Sequence, residues 1–193
     1  MNTDYITPGA EAMKRLRQSA ARARQQQREV RAQAGAHGER RGDRVQLVDF
    51  ESPERNHFLV VSQFTVQGQS AKGTQLRRPD LVCFINGLPV AVVELKNVAA
   101  EQVGVREAYQ QLQTYKDEIS DLFNSNEALV VSDGWTARVG SLTANTERML
   151  PWRTIASEDD RPRLQLELET VVRGFFAPTL FLDYIRHFVL FEQ

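Results

Sequence analysis

The chain has 193 residues, 41% of them hydrophobic, and a formal net charge of −1, which is enough apolar material for one domain with a real core. A single cysteine, Cys83, excludes an internal disulfide and is most simply a small core residue. No apolar run approaches the roughly eighteen residues of a membrane span, and the basic start lacks the apolar stretch of a signal peptide, so a cytoplasmic location is expected. Near-neutrality hides an asymmetry: residues 1–44 hold ten Lys or Arg against five acids, and residues 45–193 hold fourteen against twenty. In chain order, residues 1–44 read as a basic N-terminal extension, partly helical or disordered, in which 13–33 has helical propensity but few large apolar side chains. Strand-like runs follow at 45–50 and 58–66, then a hairpin over 80–96 and a helix over 99–123, with Val105, Ala108, Leu112, Ile119 and Leu122 near helical spacing. Further strands are expected at 128–132 and 136–142, a polar loop at 153–163, and terminal helices at 164–173 and 179–191, separated by Gly174 and Pro178. Strands, helix, strands in that order predict an α/β fold, a mixed sheet flanked by helices. His37, His57 and His187 are isolated and carry no metal-ligand spacing.

The hairpin carries the chemistry. Its two apolar runs contain Asp80, Glu94 and Lys96, and a charge in a buried strand costs several kcal/mol unless it is paired or holds a metal. Residues two apart on a strand share a face, so Glu94 and Lys96 look at one point and Leu95 faces away. Asn86-Gly87 marks the reversal, because both residues accept the positive φ of a tight turn.

This reading carries a geometric condition. With a two-residue loop at Asn86-Gly87 and regular pairing, Asp80 falls opposite Val93, on the other face from Glu94. One site can contain both carboxylates only if an odd loop or a β-bulge shifts the register by one. Pro89, with no N–H to donate, is a plausible place for it. Two hard carboxylates on a rigid hairpin suit Mg²⁺ or Mn²⁺ better than zinc, with the Leu95 carbonyl a possible further ligand. Lys96 beside such an ion could orient or help deprotonate a water and stabilise charge building on a phosphate. Arg77 and Arg78 are candidate phosphate contacts, although paired surface charges explain them about equally well.

The stretch Pro79-Asp80 with Glu94-Leu95-Lys96 resembles the PD-(D/E)xK nuclease superfamily. More closely, with 44–50, 56–64, 131–134, 138–144 and 151–154, it resembles the N-terminal endonuclease domain of the type I restriction enzyme R subunit (HsdR), over about residues 41–193. The resemblance implies a restriction-endonuclease-like sheet over 45–193, Asp80 and Glu94 as metal ligands and Lys96 as the catalytic lysine. The family's Gln-x-x-x-Tyr element is met by Gln111 and Tyr115, which share one helical face. The family's N-terminal helical segment is usually longer, so no acidic ligand is carried over from that region.

The implied activity is cleavage of double-stranded DNA without sequence choice of its own. Recognition is then expected from a specificity subunit, in company with modification subunits, and ATP-driven translocation from a motor domain. No Gly-x-x-x-x-Gly-Lys-Ser/Thr loop occurs, so ATP is expected only of a full-length subunit. Two alternatives stand beside this: a free-standing nuclease serving repair or mobile-element defence, and a non-catalytic docking module that keeps the fold.

Overall fold

The computed structural model describes residues 46–71, 73–96, 103–156 and 166–189. The basic extension at 1–44, the start of the helix expected at 99, most of the polar loop and the last residues of the final helix lie outside the described residues. Five strands form the main sheet: β1 (Phe58–Ser62), β4 (Leu81–Ile85), β5 (Leu88–Leu95), β6 (Ala128–Ser132) and β7 (Ala137–Gly140), neighbouring in that order. The β5–β6 pair is parallel and the others antiparallel. A separate antiparallel pair is built from β2 (Val66–Ser70) and β3 (Gly73–Arg77). Among the described residues three α-helices flank the strands: α1 (Val103–Glu118), α2 (Glu167–Thr170), which runs into a π-helical turn at Val171–Phe175, and α3 (Pro178–His187). No helix among the described residues is long and apolar enough to cross a membrane. The architecture is the mixed α/β sheet flanked by helices that the sequence predicts.

The sheet has two covered faces, which is why β5 and β6 are nearly continuous apolar runs. On one face α1 lays Ala108, Leu112 and Tyr115 against Val82, Phe84, Val92, Leu129 and Val131. On the other, Val171, Phe175, Phe181 and Leu182 cover Ile85, Val90, Ala91, Val93 and Val130. Phe175 is fully buried and meets Tyr184 edge-on, with ring centroids 4.9 Å apart. Gly174 allows this turn to form, since a Cβ there would sit 2.0 Å from the Thr154 carbonyl oxygen.

The β2–β3 pair is seated on the C-terminal end of α1. A Cβ on Gly68 would lie 2.1 Å from the Glu118 carbonyl oxygen, and the Arg77 guanidinium pairs with the Glu118 carboxylate. At the turn end of the main sheet, Asn86 donates to the Leu47 carbonyl at 2.9 Å and to Asn56 Oδ1 at 2.8 Å, and its own Oδ1 accepts from His57 N–H at 2.7 Å. Arg186 of α3 stacks over Phe50 and pairs with Glu51.

Several boundaries differ from expectation. Residues 46–50 are not a strand: Asp49 Oδ1 accepts from Glu51 and Ser52 N–H, and the Asn56 amide bonds the Asp49 backbone, a local network that replaces ladder pairing. The run at 58–66 is broken at Gln63, whose φ of 52° ends β1 and starts the path to β2. The strand β3 is absent from the sequence reading. The expected 99–123 helix stops at Glu118 and gives way to a 3-10 turn at Ser120–Phe123. The strand expected over 136–142 is shorter, at Ala137–Gly140.

Candidate active site

Asn86 and Gly87 both have positive φ, 52° and 88°, so the β4–β5 turn is the two-residue hairpin that an Asn-Gly pair favours. The ladder begins regularly, with Ile85 opposite Leu88 and Phe84 opposite Pro89, then skips: Cys83 pairs with Ala91, Val82 with Val92 and Leu81 with Val93. Val90 is the extra residue, one position beyond the suggested Pro89. Leu88 and Val90 face α2 and α3, and so do Ala91, Val93 and Leu95. The bulge thus transfers Val92 to the α1 face, and Glu94 and Lys96 with it. One step past Leu81–Val93, Asp80 stands opposite Glu94 on that face, which is the condition a shared site imposes.

Both Asp80 oxygens are held. Oδ1 accepts from Gln63 Nε2 at 2.7 Å and Oδ2 from the Leu95 backbone N–H at 2.8 Å. Glu94 is 1% exposed. Its Oε1 accepts from Lys96 Nζ at 3.0 Å, and its buried Oε2 has no hydrogen-bond partner. Burial holds the Glu94 carboxyl above the usual glutamate range and the Asp80 charge adds to this, while the bond from Lys96 opposes it. Lys96 Nζ also donates to Gln111 Oε1, and Gln111 Nε2 donates to the Tyr115 hydroxyl. Burial raises the Tyr115 phenol as well, with the charges of Glu94 and Asp80 and a hydrogen bond with the Glu94 carboxylate contributing and the bond from Gln111 opposing.

Asp80, Glu94, Lys96, Gln111 and Tyr115 are therefore brought together, the first three by the hairpin and the last two by adjacent turns of α1. Arg77 and Arg78 lie at the rim of a groove of about 420 Å³, with Leu76 on the same side and Gln111, Thr114 and Tyr115 opposite. Arg77 is committed to Glu118, whereas Arg78 is exposed. Sequence reasoning missed Gln63 and Glu118. Neither carries a pattern signal, since each acts through a partner distant in sequence.

The donor set fits a hard divalent cation. Among the described residues no group of three or more His, Cys, Asp or Glu converges, so a site here rests on two carboxylates supplemented by backbone oxygen. An open, buried oxygen on Glu94 is what such a set requires, because an anionic oxygen buried without a partner is costly.

Residues 4–148 match the family model described as type I restriction enzyme R protein N terminus. The chain belongs to this family. The span matched by the type I R protein N-terminal model includes Asp80, Glu94, Lys96, Gln111 and Tyr115, and begins well before residue 45. Its relatives are named as type I restriction enzyme endonuclease subunits. The chain is 43% identical over 166 residues to the type I restriction enzyme HindI endonuclease subunit of Haemophilus influenzae, covering 85% of this chain and 16% of that protein. It is 26% identical over 153 residues to the EcoprrI endonuclease subunit of Escherichia coli, covering 77% and 46% respectively. A 25% identity over 150 residues relates it to the SauCOLORF180P endonuclease subunit of Staphylococcus aureus, covering 77% and 15%. The chain thus spans about a sixth of the HindI subunit's length.

Proposed function

We propose that this type I R protein N-terminal domain is a metal-dependent endonuclease that hydrolyses phosphodiester bonds of double-stranded DNA without sequence choice of its own. The observation that carries the reading is the bulged hairpin, which sets Asp80, Glu94 and Lys96 on one face with a Glu94 oxygen buried and open.

Asp80, Glu94 and the Leu95 carbonyl would hold Mg²⁺ or Mn²⁺. Such an ion supplies Lewis acidity toward a phosphoryl oxygen and neutralises charge that develops there. The chain's own groups do the rest. Lys96, fixed between Glu94 and Gln111, presents an ammonium where negative charge grows on the phosphate and orients the attacking water. Gln111 and Tyr115 keep that ammonium aimed by a chain of hydrogen bonds. Arg78 and the groove beside it offer a path for the phosphate backbone, and Arg77 fixes the β2–β3 wall through Glu118. A full-length subunit containing this domain would cut within a complex with modification and specificity subunits, in the cytoplasm, with ATP required only by that full-length subunit.

A plasmid-nicking assay of the whole chain with Mg²⁺, Mn²⁺ or chelator tests this, run beside Asp80→Ala and Lys96→Ala. Divalent-dependent nicking that falls roughly 100-fold or more in both variants is expected. A chain that binds no divalent ion and nicks no better than both variants defeats the reading.

A further inference from the structure

Asp80 is the more accessible of the two carboxylates, half-buried where Glu94 is sealed, and a carboxylate with free rotors is a poor ligand until something fixes its plane. Two groups do so here. The Leu95 N–H takes Oδ2 at 2.8 Å, and the Gln63 side-chain amide takes Oδ1 at 2.7 Å. The second contact is arranged by an unusual backbone. Gln63 has a φ of 52°, a left-handed conformation that a residue with a Cβ rarely adopts, and its own N–H donates to the Asp80 carbonyl at 2.8 Å. Main chain and side chain of one residue thus converge on the main chain and side chain of another. The contact joins the end of β1 to the mouth of β4.

Gln63 is exposed, so burial does not demand this bond; a solvated amide satisfies itself with water. We infer that Gln63 is a positioning residue that pre-sets the Asp80 carboxylate for a divalent ion, one amide N–H-to-carboxylate hydrogen bond removed from the reacting atoms. The inference rests on the metal-dependent reading above. With both oxygens held by neutral N–H donors, each keeps a free lone pair in a fixed direction, and the ordering cost of binding an ion is met when the chain folds. Groups one contact removed from a metal ligand change affinity by roughly 10- to 100-fold when lost.

The test uses the whole chain and titrates Mn²⁺ calorimetrically into the parent and into Gln63→Gly. Glycine accepts the left-handed backbone, so this variant deletes the amide without adding strain. Expected are an unchanged unfolding temperature in chelator, about tenfold weaker Mn²⁺ binding, and a matching rise in the Mn²⁺ concentration giving half-maximal nicking. If Gln63→Gly does not fold, Gln63→Asn, which tolerates the same backbone and falls one methylene short, decides by the same titration. A parent that binds Mn²⁺ and a variant that binds it equally overturn the role of Gln63 alone. A parent that binds no divalent ion overturns the metal reading and this inference together.

Discussion

Glu94 Oε1 accepts the Lys96 ammonium at 3.0 Å, from two residues away on the same face of β5. The ion pair satisfies only half of the carboxylate, because Oε2 is buried without a partner. Folding therefore raises the Glu94 pKa, burial being the main cause. Between the unfolded and folded pKa values the native state holds more protons than the unfolded one, so stability is lost as pH rises through that window and the loss is complete above it. Glu94→Gln carries no such penalty. It is expected to abolish nicking yet raise unfolding stability at neutral pH by about 1–2 kcal/mol, with the gain shrinking toward pH 4. Thermal denaturation of both proteins across pH checks this; an unchanged or lower stability of the variant at pH 7.5 contradicts it.

The same raised pKa makes proton and metal compete at Glu94. Divalent-ion affinity and nicking are expected to fall on acidification at a pH above the range of an ordinary glutamate. Mn²⁺ titrations at a series of pH values measure it. An acid limb that coincides with a free glutamate's titration would count against the buried, partnerless oxygen.

Tyr115 is 3% exposed and its hydroxyl receives the Gln111 amide. Tyr115→Phe keeps the ring and removes one hydrogen-bond acceptor, so stability should drop by about 1 kcal/mol. Nicking should fall by roughly tenfold, less than in Lys96→Ala, since Gln111 remains but is less well aimed. Equal damage from the two substitutions would show that Tyr115 does more than aim the amide.

The bulge supplies a sharper test. Cys83 pairs with Ala91 because Val90 is left out of the ladder, so deleting Val90 leaves Asp80 opposite Glu94. That deletion is expected to keep divalent-dependent nicking while costing roughly 1–3 kcal/mol for a buried valine. Inserting an alanine after Val92 instead moves Glu94 out of register and should abolish nicking. If the deletion is as inactive as the insertion while still folded, the bulge has a role in shape beyond residue count.

The Cys83 thiol, pushed up to about 12 by burial, should be almost inert to thiol reagents at pH 8 in the native chain. Its labelling rate in graded urea should follow unfolding measured by circular dichroism. Prompt native labelling would mean that the β4 face opens locally.

The hairpin was legible in the sequence because its charges interrupt apolar runs, and the bulge was legible because alternation leaves Asp80 and Glu94 on opposite faces by simple counting. Position 90 rather than 89 was beyond that count, which fixes only that one residue is extra. The strands β2 and β3 were harder to read. Val-Gln-Gly-Gln-Ser and Gly-Thr-Gln-Leu-Arg have no apolar period, because one face is solvent and the other rests on the end of α1 through Gly68 and Arg77. The reverse error at 46–50 has the reverse cause: the apolar alternation is present, but Asp49 and Asn56 offer the backbone closer partners. Gln63 shows no signal at all, since its role lies in a left-handed φ and a contact seventeen residues away.

The node at Asn86 has a consequence for how the domain can be handled. It ties residues 47, 56 and 57 to the turn of the hairpin, and Arg186 brings α3 to Glu51 beside them. Tyr184 reaches the Glu127 carbonyl at the same end of β6. The first described segment and α3 therefore converge on the pole of the sheet farthest from Asp80 and Glu94, whereas Glu167, at the start of α2, is bonded to Trp135 and Ala137 at the other end. Tethers, fluorophores or surface anchors attached along residues 46–57 or on α3 would pull on that pole and leave the mouth of the groove unobstructed.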